Sequence, residues 1–237
     1  MHNLSREEAL IEYIQTTDQT LSRTARDGTA ATGVHVGKRA SRLTGANLHR
    51  ALVQNRAATA AFIDWQSEQR PRSAFGMGAT LTGLAWIVNF GIIAGELYRA
   101  WPYVTPGDGA NSALPPVPPE GIADGLERLA GECAAIAHCD RPAQSRAIAH
   151  IEWEIGIGPL HPFYDGCGRV SRCFSTMLCL WHGRQPPIHI SRETYMSAAT
   201  KSEADFIEYW ISAPVATLPP ITPASTFAGL PPAHSLL

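Results

Sequence analysis

Residues 161–172 read His161-Pro162-Phe163-Tyr164-Asp165-Gly166-Cys167-Gly168-Arg169-Val170-Ser171-Arg172. An imidazole, a carboxylate, two glycines and two arginines thus fall between two segments of helical period. Downstream, Val170, Cys173, Phe174, Met177, Leu178 and Trp181 recur at helical spacing until Gly183, which predicts a helix starting near Arg169. Upstream, after Arg141-Pro142, Ala147, Ile148, Ile151 and Ile155 predict another helix, ended by Gly156, Gly158 and Pro159. Gly166 to Gly168 therefore approach a helix N-terminus. Unsatisfied backbone N–H groups and the positive end of the dipole favour an anion there, and glycines let it come close.

The other residue types suit phosphate chemistry. Arg169 and Arg172 lie three apart, so a helix projects them from nearly one face and they can fork onto adjacent phosphate oxygens. Asp165 suits Mg2+, which takes one or two carboxylates together with substrate phosphates. His161 remains as a general base, since an imidazole titrates close enough to neutrality to accept a hydroxyl proton. A competing reading pairs His161 with a Cys167 thiolate nucleophile, activated by the helix end and the arginines. That reading leaves the glycines, Asp165 and both arginines without a task.

The segment resembles the active-site signature of the Fic family, H-P-F-x-[DE]-G-N-G-R-x-x-R, at every specified position except Cys167, which stands where the family has Asn. The resemblance covers about residues 45–212 and implies a mainly α, Fic-type helical fold with a short β-hairpin flap. It implies that His161 activates a target hydroxyl and that Asp165 is the metal ligand. Phe163, Gly166, Cys167, Gly168, Arg169 and Arg172 would form the nucleotide site. In it Phe163 anchors the loop, the glycines supply an anion hole, and the arginines clamp the β- and γ-phosphates. The expected activity is Mg2+-dependent transfer of AMP from ATP to a Ser, Thr or Tyr hydroxyl of a target protein. A thiol is a weaker hydrogen-bonding group than the amide it replaces. Transfer of UMP, phosphocholine or a phosphoryl group, and nucleotide binding without turnover, therefore stay open. The family's kinase branch usually carries Ala-Asn-Lys where this chain has Gly166-Cys167-Gly168.

By the same resemblance, Gly95 to Arg99 precedes a flap at Tyr103 to Pro119, and Gly183, Pro186 to Ile190 and Tyr195 fall where the family has comparable residues. Many members are silenced by a helix bearing [ST]-x-x-x-E-[GN], whose glutamate pairs with the second signature arginine. No glutamate of this chain follows Ser or Thr by four residues. Arg172 is therefore expected to be free unless a separate inhibitory protein supplies the partner.

Farther from the signature, Ser5 and Glu8 form a capping-box pattern opening a helix of about three turns with Leu10, Ile11 and Ile14 on one side. Thr20 to Gly45 reads as a solvated connection. Its Gly33 to Lys38 stretch fails as a phosphate loop, having three residues between the glycines and Arg39 after the lysine. Helical character then runs with interruptions from Ala46 to Ala100, through Leu48, Ala51, Leu52, Phe62 and Ile63, with a break at Arg70-Pro71-Arg72. Ala74 to Gly95 is uncharged and long enough to span a bilayer, but its five glycines, Thr80, Thr82 and Asn89 favour a buried helix. The prolines of Tyr103 to Gly121 exclude a helix. Ile122, Leu126, Leu129, Ala130, Cys133, Ile136 and Ala137 form a core-facing stripe, which makes Cys133 a packing residue. His138, Cys139, Cys133 and His150 lack the spacing of a zinc site. Trp153, Trp181 and Trp210 read as core.

The 237 residues, 45% of them hydrophobic, suffice for one core. They divide into an N-terminal extension (1–44), a catalytic domain (45–212) and a Pro-rich tail (213–237) that either packs as an extended arm or stays mobile. A net charge of −2 offers no footprint for nucleic acid or an anionic membrane. Five cysteines and a start at Met1-His2-Asn3 without signal-peptide character point to a reducing, cytoplasmic setting.

Overall fold

The computed structural model describes residues 4–21, 45–69, 73–92, 96–100 and 117–220. Helix α1 (Arg6–Leu21) opens with the expected capping box: Ser5 N–H donates to Glu8 Oε2 at 2.8 Å, and Glu8 N–H to Ser5 Oγ at 3.2 Å. It is longer than three turns and packs on α2 (Gly45–Glu68). Helix α3 (Ala74–Asn89) starts at Ser73, whose Oγ accepts from Gly76 N–H at 3.1 Å. Helices α4 (Ile122–Ala135) and α5 (Arg141–Gly156) follow, the latter capped by Asp140 Oδ1 on Ala143 N–H at 2.9 Å. Helix α6 (Cys167–Trp181) precedes α7 (Arg192–Lys201) and α8 (Glu203–Ser212), capped by Ser191 and Ser202.

The centre of the bundle is α6, which packs against α5, α3 and α2. From Val170 to Trp181 every residue is buried except Arg172, the pattern of a helix enclosed on nearly all sides. Phe163, Phe174, Ile148, Ile151, Met77 and Leu84 are among the fully enclosed side chains around it. Each contributes about 1.5–3 kcal/mol by leaving water. Trp153, Trp181 and Trp210 are core residues whose indole N–H groups find acceptors: Trp153 on Ala199 O at 3.0 Å, Trp181 on Gln66 O at 2.6 Å, and Trp210 on Glu152 Oε2 at 2.9 Å. Cys133 is buried, as its place in the stripe predicts.

Three expectations change. Helical structure does not run on to Ala100: α3 ends at Asn89, Gly91 turns the chain at φ 69°, and Leu97 to Arg99 lie extended against the signature loop. The central helix starts at Cys167 rather than near Arg169, because Gly166 takes a left-handed conformation (φ 74°) and serves as its N-cap. Residues 4–21, assigned to an extension, are bound into the body, where Tyr13 Oη donates to Pro187 O at 2.8 Å.

Helix α3 buries Met77, Leu81, Leu84 and Val88 on one face and exposes Phe75 and Trp86 on another. No described helix is long and apolar enough to cross a membrane. The described residues are mainly α-helical and hold no β-sheet, only the isolated bridges Tyr98–Phe163 and Pro187–Val215. The start of the tail packs as an extended arm, with Ala216 N–H on Pro186 O and Leu218 N–H on Gln185 Oε1, both at 2.9 Å. The Gly33 to Lys38 stretch, the flap before Val117 and the tail from 221 onward lie outside the described residues.

Candidate active site

The signature loop leaves the end of α5 and is fixed from both sides. On the α5 side, Glu154 O accepts from His161 N–H at 3.1 Å and its Oε2 from Leu160 N–H at 3.3 Å. Arg128 Nη2 donates to Glu154 Oε1 at 2.8 Å. Opposite, the buried Arg99 donates from Nε to His161 O at 2.7 Å and from Nη2 to Leu160 O at 3.0 Å and Val117 O at 2.5 Å. Its backbone N–H reaches Pro162 O at 3.1 Å, and Tyr164 N–H reaches Leu97 O at 2.8 Å. A buried cation is costly unless it is well hydrogen-bonded, and these carbonyls meet that need while fastening the loop.

The fastening matters at His161, whose φ of 31° is rare for a side chain with a Cβ. Such a conformation costs of order 1–3 kcal/mol and persists only where its surroundings over-determine it. The bonds to its N–H and C=O do so. Burial, with the nearby Arg99 charge, drives the imidazole down to a pKa of about 3, against a hydrogen bond to the Gly156 carbonyl that favours the charged form. Near neutral pH the ring is therefore uncharged and can accept a proton.

Phe163 is buried and stacks on Tyr98 with ring centroids 5.8 Å apart, anchoring the loop. Cys167 departs from its expected place facing the nucleotide. Its Sγ lies 3.3 Å from Phe163 N and 3.4 Å from Phe163 O, spanning the loop from within. Burial pushes its thiol pKa up, opposite to what a thiolate nucleophile needs. The side chain therefore braces the loop, and its backbone opens α6.

Asp165 Oδ1 accepts from Gly166 N–H at 2.7 Å, and its Oδ2 lies 4.0 Å from Arg169 Nη2. A Cβ on Gly166 would overlap the Asn89 side chain and lie 2.8 Å from Arg169 Nη2; one on Gly168 would lie 3.1 Å from Arg172 Nη1. The main chain is therefore bare where two guanidinium groups approach it, a cradle suited to phosphate oxygens. One carboxylate beside such a cradle is the donor set Mg2+ takes when phosphates complete its shell.

Residues not singled out in the sequence hold the arginines. Asn89, at the end of α3, accepts from Arg169 Nη2 at 3.1 Å and donates to Asp165 O at 3.2 Å, while Arg169 Nη1 reaches Val88 O at 3.2 Å. Arg172 is not free. Its Nη2 donates to Asp18 Oδ1 on α1 at 3.3 Å, and Arg56 Nε on α2 donates to Asp18 Oδ2 at 3.0 Å. A search for glutamate four residues after Ser or Thr passes over an aspartate, and Ile14 occupies the fourth position before it.

No family model matches the chain. No curated protein matches it either. Among solved structures, a Fic-domain-containing signaling protein from Bacteroides thetaiotaomicron is similar at a TM-score of 0.59 and 16% identity, covering 90% of this chain and 87% of that one. With the His161 to Arg172 loop mounted at the N-terminus of the enclosed central helix and this likeness over most of its length, the chain has the Fic-type fold.

Proposed function

We propose that the protein transfers AMP from Mg2+-bound ATP to a hydroxyl group of a target protein. The observation that carries this reading is the neutral His161 imidazole on the same short loop as the Gly166–Gly168 cradle and its two guanidinium groups. The hydroxyl oxygen attacks the α-phosphorus, the bond between that phosphorus and the α,β-bridging oxygen breaks, and pyrophosphate leaves. His161 takes the hydroxyl proton. Arg169 and Arg172 bind the departing phosphates once they exchange their present partners, Asn89 and Asp18. Asp165 would hold the metal, which when bound offsets phosphate charge.

The experiment incubates the chain and a His161→Ala control with Mg2+ and ATP, UTP, CTP or GTP in cell lysate and weighs modified proteins intact. A His161-dependent gain of one AMP supports the proposal. A gain of UMP or another group keeps the site and changes the donor. A second reading, nucleotide binding without turnover, is favoured by the Asp18–Arg172 pair, which occupies a guanidinium the transfer needs. Measurable ATP binding with no modification, even after Asp18→Asn, would select it.

A further inference from the structure

The carboxylate that meets Arg172 is shared. Asp18, near the end of α1, accepts from Arg172 Nη2 on one oxygen at 3.3 Å and from Arg56 Nε on the other at 3.0 Å. Arg56 lies on α2, outside the signature loop, and its side chain is 19% exposed. Among the described residues its guanidinium has no other hydrogen-bond acceptor. Arg56 also stands beside the first signature arginine: it lines one small cavity with Arg169, Asp18, Asn55, Thr59 and Cys173. The free space there holds about one water molecule, so no phosphate fits beside Arg56 while Asp18 stays.

Two oxygens of one phosphate are spaced much as those of a carboxylate, and arginine binds either anion in the same way. The Asp18 carboxylate thus marks, oxygen by oxygen, a position in which one anion meets Arg56 and Arg172 together. Charge argues the same way. Arg56, Arg169 and Arg172 stand against Asp18 and Asp165. When a phosphate displaces Asp18 from Arg172, Arg56 loses its partner in the same event, and a largely buried charge left without one is strongly destabilising. A phosphate bound to both guanidinium groups removes that penalty; one that met Arg172 alone would leave Arg56 uncompensated.

Resting on the transferase reading above, we propose that Arg56 is a third phosphate-binding guanidinium of the donor site, which takes the phosphate that displaces Asp18 jointly with Arg172. Arg56 then acts twice, on Asp18 before the donor binds and on the donor afterwards. A donor whose phosphate chain stops short of Asp18 gains nothing from it.

Removing Asp18 separates the two roles. If Arg56 served only to hold Asp18, Arg56→Gln would change nothing once Asp18→Asn had removed that charge. In the full chain carrying Asp18→Asn, the Kd for Mg2+-tripolyphosphate is expected to rise about tenfold with Arg56→Gln. It is expected to rise less than about twofold with Arg146→Gln, which removes an exposed arginine of α5 paired with Glu208. Arg56→Lys keeps the charge and gives up the fork, so a rise of about threefold is expected; it also serves if Arg56→Gln does not fold. An unchanged Kd in the Arg56 variants, or an equal rise with Arg146→Gln, overturns the proposal, as does an Asp18→Asn parent that binds no tripolyphosphate. The transferase reading is judged apart, by the His161-dependent mass gain: with that gain missing and the tenfold rise present, the transfer falls and the third guanidinium stands.

Discussion

Asp18 Oδ1 lies 3.3 Å from Arg172 Nη2, and Arg56 Nε holds the other oxygen of the same carboxylate at 3.0 Å. Both the Asp18 and Arg172 side chains are only 13% exposed, so solvent screens the pair less than it would a surface ion pair. On the proposed transferase reading, a phosphate bound by Arg172 would have to displace this carboxylate.

Asp18→Asn is accordingly expected to tighten Mg2+-ATP binding and raise transfer by about tenfold, the factor that corresponds to losing a competing interaction of about 1.4 kcal/mol. It also removes a charge from between two arginines, so the melting temperature is expected to fall while activity rises. Calorimetric binding, a transfer assay and thermal unfolding on one preparation check the opposition. Tighter binding with unchanged stability would mean that Asp18 contributes little to docking α1.

His161→Ala is expected to reduce transfer by about 10²–10⁴-fold, the usual worth of a positioned general base, and to leave nucleotide affinity within about threefold. In the free protein the His161 ring signal is expected not to titrate between about pH 5 and 8, since its pKa is lowered to about 3. The stability consequence has a definite sign. His161 and His189, the latter lowered to about 4 by burial, bind protons near pH 6.5 only in the unfolded chain. Stability therefore falls as pH drops below about 6.5, by up to about 1.4 kcal/mol per pH unit for each histidine, and is unaffected by them above about pH 7.5. Urea unfolding across that range measures the slope.

All five cysteines are free thiols, and Cys139 alone is exposed. A thiol reagent applied to the folded protein is expected to modify one site quickly and the others only after unfolding, because burial raises the thiol pKa of Cys133, Cys167, Cys173 and Cys179. Peptide mapping identifies the fast site. Rapid modification of Cys167 would mean the loop opens and would revive a thiol mechanism.

Gly166→Ala is expected to lower stability by about 1–2 kcal/mol for the left-handed conformation, and further because its Cβ would displace Asn89. Asn89 joins Asp165 to Arg169, so transfer is expected to drop more than folding does. Thermal unfolding alongside the transfer assay separates the two effects.

The parts whose cause is local in the chain are legible from residue order alone. The stop at Gly156 and Gly158, the glycine approach at Gly166 to Gly168 and the apolar period from Val170 to Trp181 make a loop feeding a buried helix. Backbone conformation and helical period act over a few residues, so they can be read without the fold, although α6 begins three residues before the apolar period does. Tertiary packing decided what meets that loop. Arg99 reaches His161 across 62 positions, Asn89 reaches Asp165 across 76, and Asp18 reaches Arg172 across 154. Cys167 shows the same division on a smaller scale: its place in the pattern marks it as a departure, and only the closed loop turns its sulfur inward to Phe163. Side-chain partners follow from how separate helices dock, and docking is set by the summed burial of faces far apart in the chain.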